Sequence, residues 1–152
     1  MKLSENGFSL VEVLVVAVIL AVVLTSMVQL FIYSSVQAQL GGEQTAAVSE
    51  AQNKVEEIRG HDFDAIVTDY GVSGTPGNKF SLDQLTGMGA IYIDNSNSNL
   101  LVIDVVTSYE SKYDRIIGED ANLNGVLDSG EDVNSNGKID SPVKVSTMLT
   151  RR

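Results

Sequence analysis

The sequence predicts an α+β fold, in which a long N-terminal helix, transmembrane and then amphipathic, packs on a small antiparallel β-sheet. Three observations predict it. An apolar run extends over residues 8–33, an amphipathic stripe follows up to residue 58, and four short segments of strand-like composition lie beyond. The 152 residues suffice for one hydrophobic core but not for two.

Composition excludes several classes of function. The formal net charge of −10 makes the surface repel phosphates, so no nucleic acid partner is expected. The chain has no cysteine and one histidine, His61. Disulfides and thiolate chemistry are therefore excluded, and histidine-based catalytic or zinc sites are disfavoured. Composition thus predicts a protein that is not an enzyme.

The apolar run FSLVEVLVVAVILAVVLTSMVQLFIY is long enough to cross a bilayer, which takes about 20 residues as a helix. A cleaved secretory signal would have a shorter apolar region, about 7–15 residues, followed by an A-x-A-like site. An ordinary membrane anchor remains open, but it does not explain Glu12. A carboxylate at mid-membrane costs roughly 2.5–3.5 kcal/mol on insertion scales, so Glu12 needs a partner. The run offers no cation.

The segment Gly7-Phe8-Ser9-Leu10-Val11-Glu12 follows a short leader that contains Lys2. It resembles the prepilin cleavage and methylation motif of type IV pilin-like proteins. The resemblance implies that a prepilin peptidase cuts between Gly7 and Phe8 and methylates the new Phe8 amine. It further implies that Glu12 neutralises the amine of a neighbouring subunit during assembly. A buried pair of this kind fixes register more than it adds stability.

The resemblance also implies partners and a location. The partners are prepilin peptidase, other pilin or pseudopilin subunits and an inner-membrane assembly platform. The chain would span the inner membrane once, with its head in the periplasm or outside the cell, and would then enter a pilus or pseudopilus. Lys2 and Glu5 leave only a weak positive-inside bias, so this orientation follows from the resemblance. The implied regions are the leader (1–7), a transmembrane or filament-core helix (8–34), its amphipathic continuation (35–60) and a β-rich head (61–152).

Two details refine the resemblance. Gln29 stands where many major pilins carry a helix-breaking proline, and the apolar run contains no proline. Together with the stretch AQNKVEEIRGHDFDAI at residues 51–66, this is more similar to minor pilins and pseudopilins, PilV-like or type II secretion I-like. The sequence leaves open whether the filament belongs to a type IV pilus, a type II secretion system or a competence system.

The helix is expected to continue to Arg59 and to stop at Gly60. Apolar residues at helical spacing form one stripe on its second part: Val36, Leu40, Ala47, Ala51, Val55 and Ile58. Gly41-Gly42 interrupts this helix, either as a tolerated irregularity or as a hinge. Each glycine costs about 1 kcal/mol relative to alanine. The tolerated irregularity is slightly favoured.

The head is predicted to begin with a turn-rich loop over residues 61–77. Strands are predicted for residues 90–94, 100–109, 112–117 and 143–150, with a solvated loop at residues 95–99. A small antiparallel sheet on the second part of the helix accommodates all four.

The segment 118–140 contains two near copies, GEDANLNGVLD and GEDVNSNGKID, twelve residues apart. A polar, turn-rich loop without a ligand is one interpretation. The other is a pair of calcium loops, because oxygen donors recur at the spacing of an EF-hand loop. The pattern also resembles the repeats of dockerins and thrombospondin type 3 repeats, which lack flanking EF-hand helices.

In the first copy, the turn glycine is Gly125 and the predicted ligands are Asp120, Asn122, Asn124, the Val126 carbonyl, Asp128 and Glu131. In the second copy, the turn glycine is Gly137 and the predicted ligands are Asp132, Asn134, Asn136, the Lys138 carbonyl and Asp140. The twelfth position of the second copy is Val143, so its last carboxylate is missing. The second copy would bind weakly or borrow an acid from the first. One or two structural calcium ions are therefore expected.

Two functional hypotheses follow from the sequence. The first is a structural subunit, a minor pilin or pseudopilin of a type IV pilus or type II secretion-like filament, with a head braced by calcium. The alternative is a membrane-tethered, calcium-dependent binding or adhesion module that is not built into a filament. The alternative shares every feature of the head but does not require Gly7 or Glu12.

Overall fold

The computed structural model describes residues 9–151. Gly7 and Phe8, at the predicted cleavage and methylation site, lie outside the described residues. The described chain divides between Gln39 and Leu40 into two compact units. The elements are the helices α1 (Leu10–Arg59) and α2 (Phe63–Asp69) and the strands β1 (Lys79–Ser81), β2 (Gly87–Asn97), β3 (Leu100–Ser111), β4 (Arg115–Ile117) and β5 (Lys144–Thr150).

The first unit is the N-terminal part of α1. Its large apolar side chains are exposed all the way from Leu10 to Tyr33. By length and composition this helix could cross a membrane, and its most apolar window is not buried at all. Thr25 and Ser26 donate their hydroxyl hydrogens to backbone carbonyls three or four residues earlier in the same helix. Their polar groups are thereby satisfied without water, as a membrane segment requires.

The second unit is an α+β head, built from the remainder of α1, the short helix α2 and the sheet. Strand β3 is central: β2 pairs with one edge along most of its length, and β5 and β4 share the other edge. All pairings are antiparallel, and β1 extends the sheet beyond β2. The predicted fold class, a long N-terminal helix packed on a small antiparallel sheet, is confirmed.

The main core lies between α1 and the sheet. Four residues of the predicted apolar stripe, Ala47, Ala51, Val55 and Ile58, are at most 5% exposed. The last three pack against alternate residues of β3, namely Leu101, Ile103 and Val105, together with Ile91 of β2. Side chains on a strand alternate between faces, so the even-numbered positions of β3 face the opposite side of the sheet.

Some predicted elements were wrong. Residues 61–77 were expected to be a loop, but α2 forms within them because Asp62 caps its N-terminus and accepts a hydrogen bond from the Asp64 backbone. The strand β1 was missed, and β2 runs to Asn97, into the expected solvated loop. Strand β4 begins only at Arg115, because Ser111 and Asp114 close a turn before it. The predicted continuation of the helix to Arg59 is correct, because α1 runs unbroken through Gly41-Gly42, in line with the favoured interpretation of a tolerated irregularity.

Candidate functional site

The first candidate site is the start of α1. Glu12 lies in the first helical turn, surrounded in sequence by exposed apolar residues. The positive end of the helix dipole favours a carboxylate there. The described residues give Glu12 no hydrogen bond or ion pair with another side chain. Its expected partner is the amine of Phe8 on a neighbouring subunit, and Phe8 lies outside the described residues.

The second candidate site is the segment between β4 and β5, which contains both copies of the repeat. It lies over the face of the sheet opposite to α1. Leu127 and Ile139, which occupy the same position in the two copies, pack with Ala90 and Val106 on that face. The Ile139 backbone N–H also donates a 2.7 Å hydrogen bond to the hydroxyl of Tyr92. Each copy is thus anchored to the sheet by one apolar residue.

Within the first copy, oxygen donors are drawn together around a tight turn. Both carboxylate oxygens of Asp120 accept backbone hydrogen bonds, from Asn124 at 3.0 Å and from Gly125 at 2.7 Å. Asn122 and Asn124 donate from their amides to Asp128 at 2.7 and 2.8 Å. Gly125 has φ +71°, which suits glycine best. These hydrogen bonds hold the pKa of Asp128 below its ordinary value, with Asn122 as the larger contributor.

The second copy repeats this arrangement twelve residues later. Asp132 accepts from the backbones of Asn136 and Gly137 at 3.0 and 2.9 Å. Asn134 and Asn136 each donate to Asp140 at 2.6 Å. The turn glycine, Gly137, has φ +74°. The structure therefore gathers the predicted side chains of each copy into one loop, and the two loops have the same hydrogen-bond pattern.

The two residues predicted to contribute carbonyl ligands, Val126 and Lys138, lie within the same turns. Val126 and Lys138 donate their backbone N–H groups to Asn124 and Asn136 at 2.6 and 2.8 Å. The ammonium of Lys138 turns away from its loop, 3.9 Å from Asp104 of β3. It also lies 5.4 Å above the ring of Tyr92. This cation therefore does not occupy the second loop.

Carboxylates from outside each turn complete the two loops. Glu131, the predicted twelfth-position ligand of the first copy, accepts from the backbones of Ala121 and Asp128, both at 2.9 Å. Glu119 was not among the predicted ligands, yet it accepts from Val133 at 3.3 Å and from Asp140 at 3.0 Å. The repeat contained a signal for it, because Glu119 and Glu131 occupy the same position, immediately before the first aspartate.

Among residues 9–151, no three or more His, Cys, Asp or Glu side chains are placed so that they alone could hold a metal ion. A calcium loop of the expected type would rely in addition on amide and backbone oxygens, which both copies supply. The donors are all oxygens, and calcium prefers oxygen ligands. The chemistry of the donor set therefore fits calcium.

The remaining titratable feature is a structural one. His61 contacts Tyr70 edge to face, with ring centroids 5.0 Å apart, and its Nδ1 lies 3.9 Å from Asp69. Its two neighbours in these contacts offer one carboxylate and a phenol ring.

Comparison with known protein families gives one match. Residues 2–28 match the family model described as the prokaryotic N-terminal methylation motif. No curated protein and no solved structure matches the chain. The match includes Gly7, Phe8, Glu12 and most of the exposed apolar part of α1, and it does not extend to the head.

Proposed function

We propose, from the premise that the N-terminal methylation motif marks a type IV pilin-like protein, that this chain is a structural subunit of a filament. It is a minor pilin or pseudopilin of a type IV pilus or of a type II secretion-like system. The observation that carries the proposal is the motif itself, which contains Glu12 and opens a helix whose apolar side chains are exposed. The proposal gives the chain no catalytic role.

The exposed apolar surface supports burial in two successive environments. Large apolar side chains from Leu10 to Tyr33 are about half to four-fifths exposed. A continuous apolar surface of this extent is unfavourable in water, so it requires lipid or neighbouring helices. The inner membrane provides the first environment, and the packed helices of a filament provide the second.

In this proposal, Glu12 sets the axial offset between neighbouring subunits as a subunit moves from the membrane into the filament. A carboxylate is costly in the bilayer, and removing residues 1–7 creates a cation at Phe8, four residues before it. Pairing Glu12 with the Phe8 amine of a neighbouring subunit would neutralise both charges as the subunit leaves the lipid. Such a pair would select one axial offset between subunits, because any other offset leaves a buried charge unpaired.

The first test is the intact mass of the full chain extracted from membranes of a host with prepilin peptidase and of a host without it. We expect loss of residues 1–7 and gain of one methyl group only when the peptidase is present. An unprocessed chain in both hosts would contradict the filament proposal and favour the alternative, a membrane-tethered, calcium-dependent binding or adhesion module.

The second test separates processing from assembly. Glu12→Gln removes the charge but keeps the size of the side chain, so we expect normal processing and loss of incorporation into sheared filaments. Glu56→Gln is the matched control, because Glu56 is exposed on the same helix and forms a surface ion pair with Arg59. Incorporation of Glu12→Gln at the level of this control would contradict the assigned role of Glu12.

We further propose that the double loop, the two repeat copies at residues 118–140, binds structural calcium and so braces the head. Its support is the donor set: two turns with the EF-hand spacing of carboxylate, amide and carbonyl oxygens, each with a positive-φ glycine at the sharp turn. Six carboxylates and one lysine lie between residues 118 and 140. Their mutual repulsion would oppose a compact loop, and calcium would relieve it.

Calorimetric titration of the chelator-treated full chain in detergent with calcium chloride tests this role, with magnesium chloride as the control ion. Extracellular modules bind calcium at about 10⁻⁴–10⁻³ M, so 10 mM calcium would stabilise the fold by about 1.4–2.7 kcal/mol per site. An absence of heat and of thermal stabilisation at millimolar calcium would refute it.

A further inference from the structure

The two loops exchange glutamates. Glu131 immediately precedes the second loop, yet its carboxylate accepts hydrogen bonds from Ala121 and Asp128 of the first. Glu119 immediately precedes the first loop, yet its carboxylate accepts from Val133 and Asp140 of the second. The four donors are equivalent pairs, because Val133 and Asp140 lie twelve residues after Ala121 and Asp128. The exchange is therefore reciprocal.

The twelfth position of the second loop, where the last carboxylate of an EF-hand loop would stand, cannot accommodate an acid. Val143 is fully buried and packs with Ala47, Leu82 and Tyr109 between α1 and the sheet. Its carbonyl accepts a 3.1 Å hydrogen bond from the Thr107 backbone, so the chain has already joined the sheet at this point. An acid at position 143 would bury an unpaired charge, at high cost.

We propose that Glu119 is the final carboxylate ligand of the second loop, in the role that Glu131 has in the first. This inference rests on the proposed calcium role and goes further, because it assigns one ion to each loop. Two independent observations carry it: the twelve-residue period of donors in the sequence and the equivalent placement of the two glutamates in the structure. A carboxylate oxygen that accepts one N–H retains a lone pair for a metal ion.

The exchange has two consequences. With the exchange, each loop has three carboxylates: Asp120, Asp128 and Glu131 in the first, and Asp132, Asp140 and Glu119 in the second. The two sites should therefore have comparable affinity for calcium. Each loop also holds a glutamate that is joined to the other loop by a single peptide bond. Ordering one loop therefore positions a ligand of the other, and the two ions should bind with positive cooperativity.

The test uses the processed full chain in detergent micelles, labelled with ¹⁵N and titrated with calcium chloride. Calorimetry counts the ions, and the Gly125 and Gly137 amides report on the first and second loops respectively. We expect two ions in the unaltered chain. Glu119→Gln should retain one ion and lose the Gly137 response, whereas Glu131→Gln should retain one and lose the Gly125 response.

Glu110→Gln, on exposed β3 surface, controls for the loss of one negative charge and should retain both ions. Far-UV circular dichroism checks that each variant is folded, and the two glutamate variants report independently on the exchange. If Glu119→Gln keeps the Gly137 response, or loses only that of Gly125, the assignment of Glu119 is overturned while the calcium role stands. If the unaltered chain binds no calcium, the calcium role itself is refuted.

Discussion

The phenol of Tyr70 donates a 2.9 Å hydrogen bond to Oε1 of Glu57, thirteen residues earlier in the chain. Tyr70 follows α2 directly and is only 1% exposed, whereas Glu57 lies on α1 and also receives a 2.6 Å hydrogen bond from Lys54. The Lys54 contact, followed by that of Tyr70, holds the pKa of Glu57 below its ordinary value. Burial, together with the adjacent Glu57, raises the pKa of Tyr70. The bond therefore fastens α2 to the long helix.

Tyr70→Phe should reduce the free energy of unfolding by about 1–2 kcal/mol, because it removes one hydrogen bond to a charged group while the ring stays packed. Urea unfolding of the full chain in detergent measures this loss. The double variant with Glu57→Gln isolates the pair: it should cost less than the sum of the two single variants. Additive losses would show that the bond contributes no coupling energy.

Glu50→Gln should reduce the free energy of unfolding by about 1–3 kcal/mol, because the Glu50 carboxylate joins α1 to the segment after β1 by two hydrogen bonds. Glu50 is only 8% exposed. Its carboxylate accepts hydrogen bonds from the backbone N–H groups of Asp83 at 2.6 Å and of Gln84 at 2.8 Å. A glutamine offers one acceptor oxygen and would turn an N–H₂ group towards the other amide. Hydrogen exchange at Asp83 and Gln84 should accelerate accordingly.

Glu56→Gln is the matched control for this substitution. Glu56 is exposed, and its ion pair with Arg59 lies on the surface, where such pairs contribute about 0–1 kcal/mol. Equal losses in the two variants would mean that charge on α1, rather than the two hydrogen bonds of Glu50, stabilises the head.

The helices show what the sequence could and could not reveal. The apolar stripe of α1 could be predicted because apolar residues recur at steps of three, four and seven over a long segment. The same spacing exists in α2 at Phe63, Ile66, Val67 and Tyr70, after the capping residue Asp62. It extends over only two turns and is followed by the turn-rich segment GVSGTPG at residues 71–77, so turn composition outweighed it. Strand β1 has three residues, and only its pairing with β2 identifies it.

The double loop shows a similar division. The turns and their donors follow a fixed spacing, so the sequence predicted which side chains gather in each copy. The exchange of Glu119 and Glu131 depends instead on how the two copies face each other, and no local spacing specifies that. Likewise, Val143 looked like a missing ligand in the pattern, whereas in the fold it is a core residue.

Asp104→Asn should destabilise the head by about 1–2 kcal/mol at neutral pH. Asp104 is 17% exposed at its side chain and binds Lys144 at 2.9 Å and Ser146 at 2.6 Å. Burial, the largest single effect, raises the pKa of Asp104, but Ser146 and Lys144 together outweigh it and lower that pKa. The stabilisation is therefore present above the ordinary aspartate pKa, near 3.9, and disappears as pH falls through the lower folded value.

Unfolding free energies of Asp104→Asn and of the unaltered chain, measured from pH 7 down to about 2, test this dependence. Their difference should be constant above about pH 5 and should shrink below about pH 4. Glu110→Gln, an exposed change on the same strand, corrects for the general effect of net charge. A difference that persists at the acid end would show that Asp104 stabilises the head through packing rather than through its charge.

Gly118→Ala should be far more destabilising than Gly130→Ala, although the two glycines occupy the same position in the two copies. Both have positive φ, +112° and +94°, so alanine at either position costs about 1 kcal/mol in backbone strain. A Cβ at Gly118 would also lie 2.2 Å from Oγ and 2.8 Å from Cβ of Ser108, whereas at Gly130 it would meet nothing within 4 Å. Overpacking adds about 1–3 kcal/mol at Gly118 alone.

Thermal and urea unfolding of the two variants, each without calcium, measure this contrast without any contribution from metal binding. Ser108→Gly in the Gly118→Ala background removes the side chain that the new methyl group meets, so it should recover part of the loss. Equal losses at both glycines, or no recovery in the double variant, would contradict close contact between the start of the double loop and β3. That contact matters for the head as a whole, because it fixes where the first loop leaves the sheet.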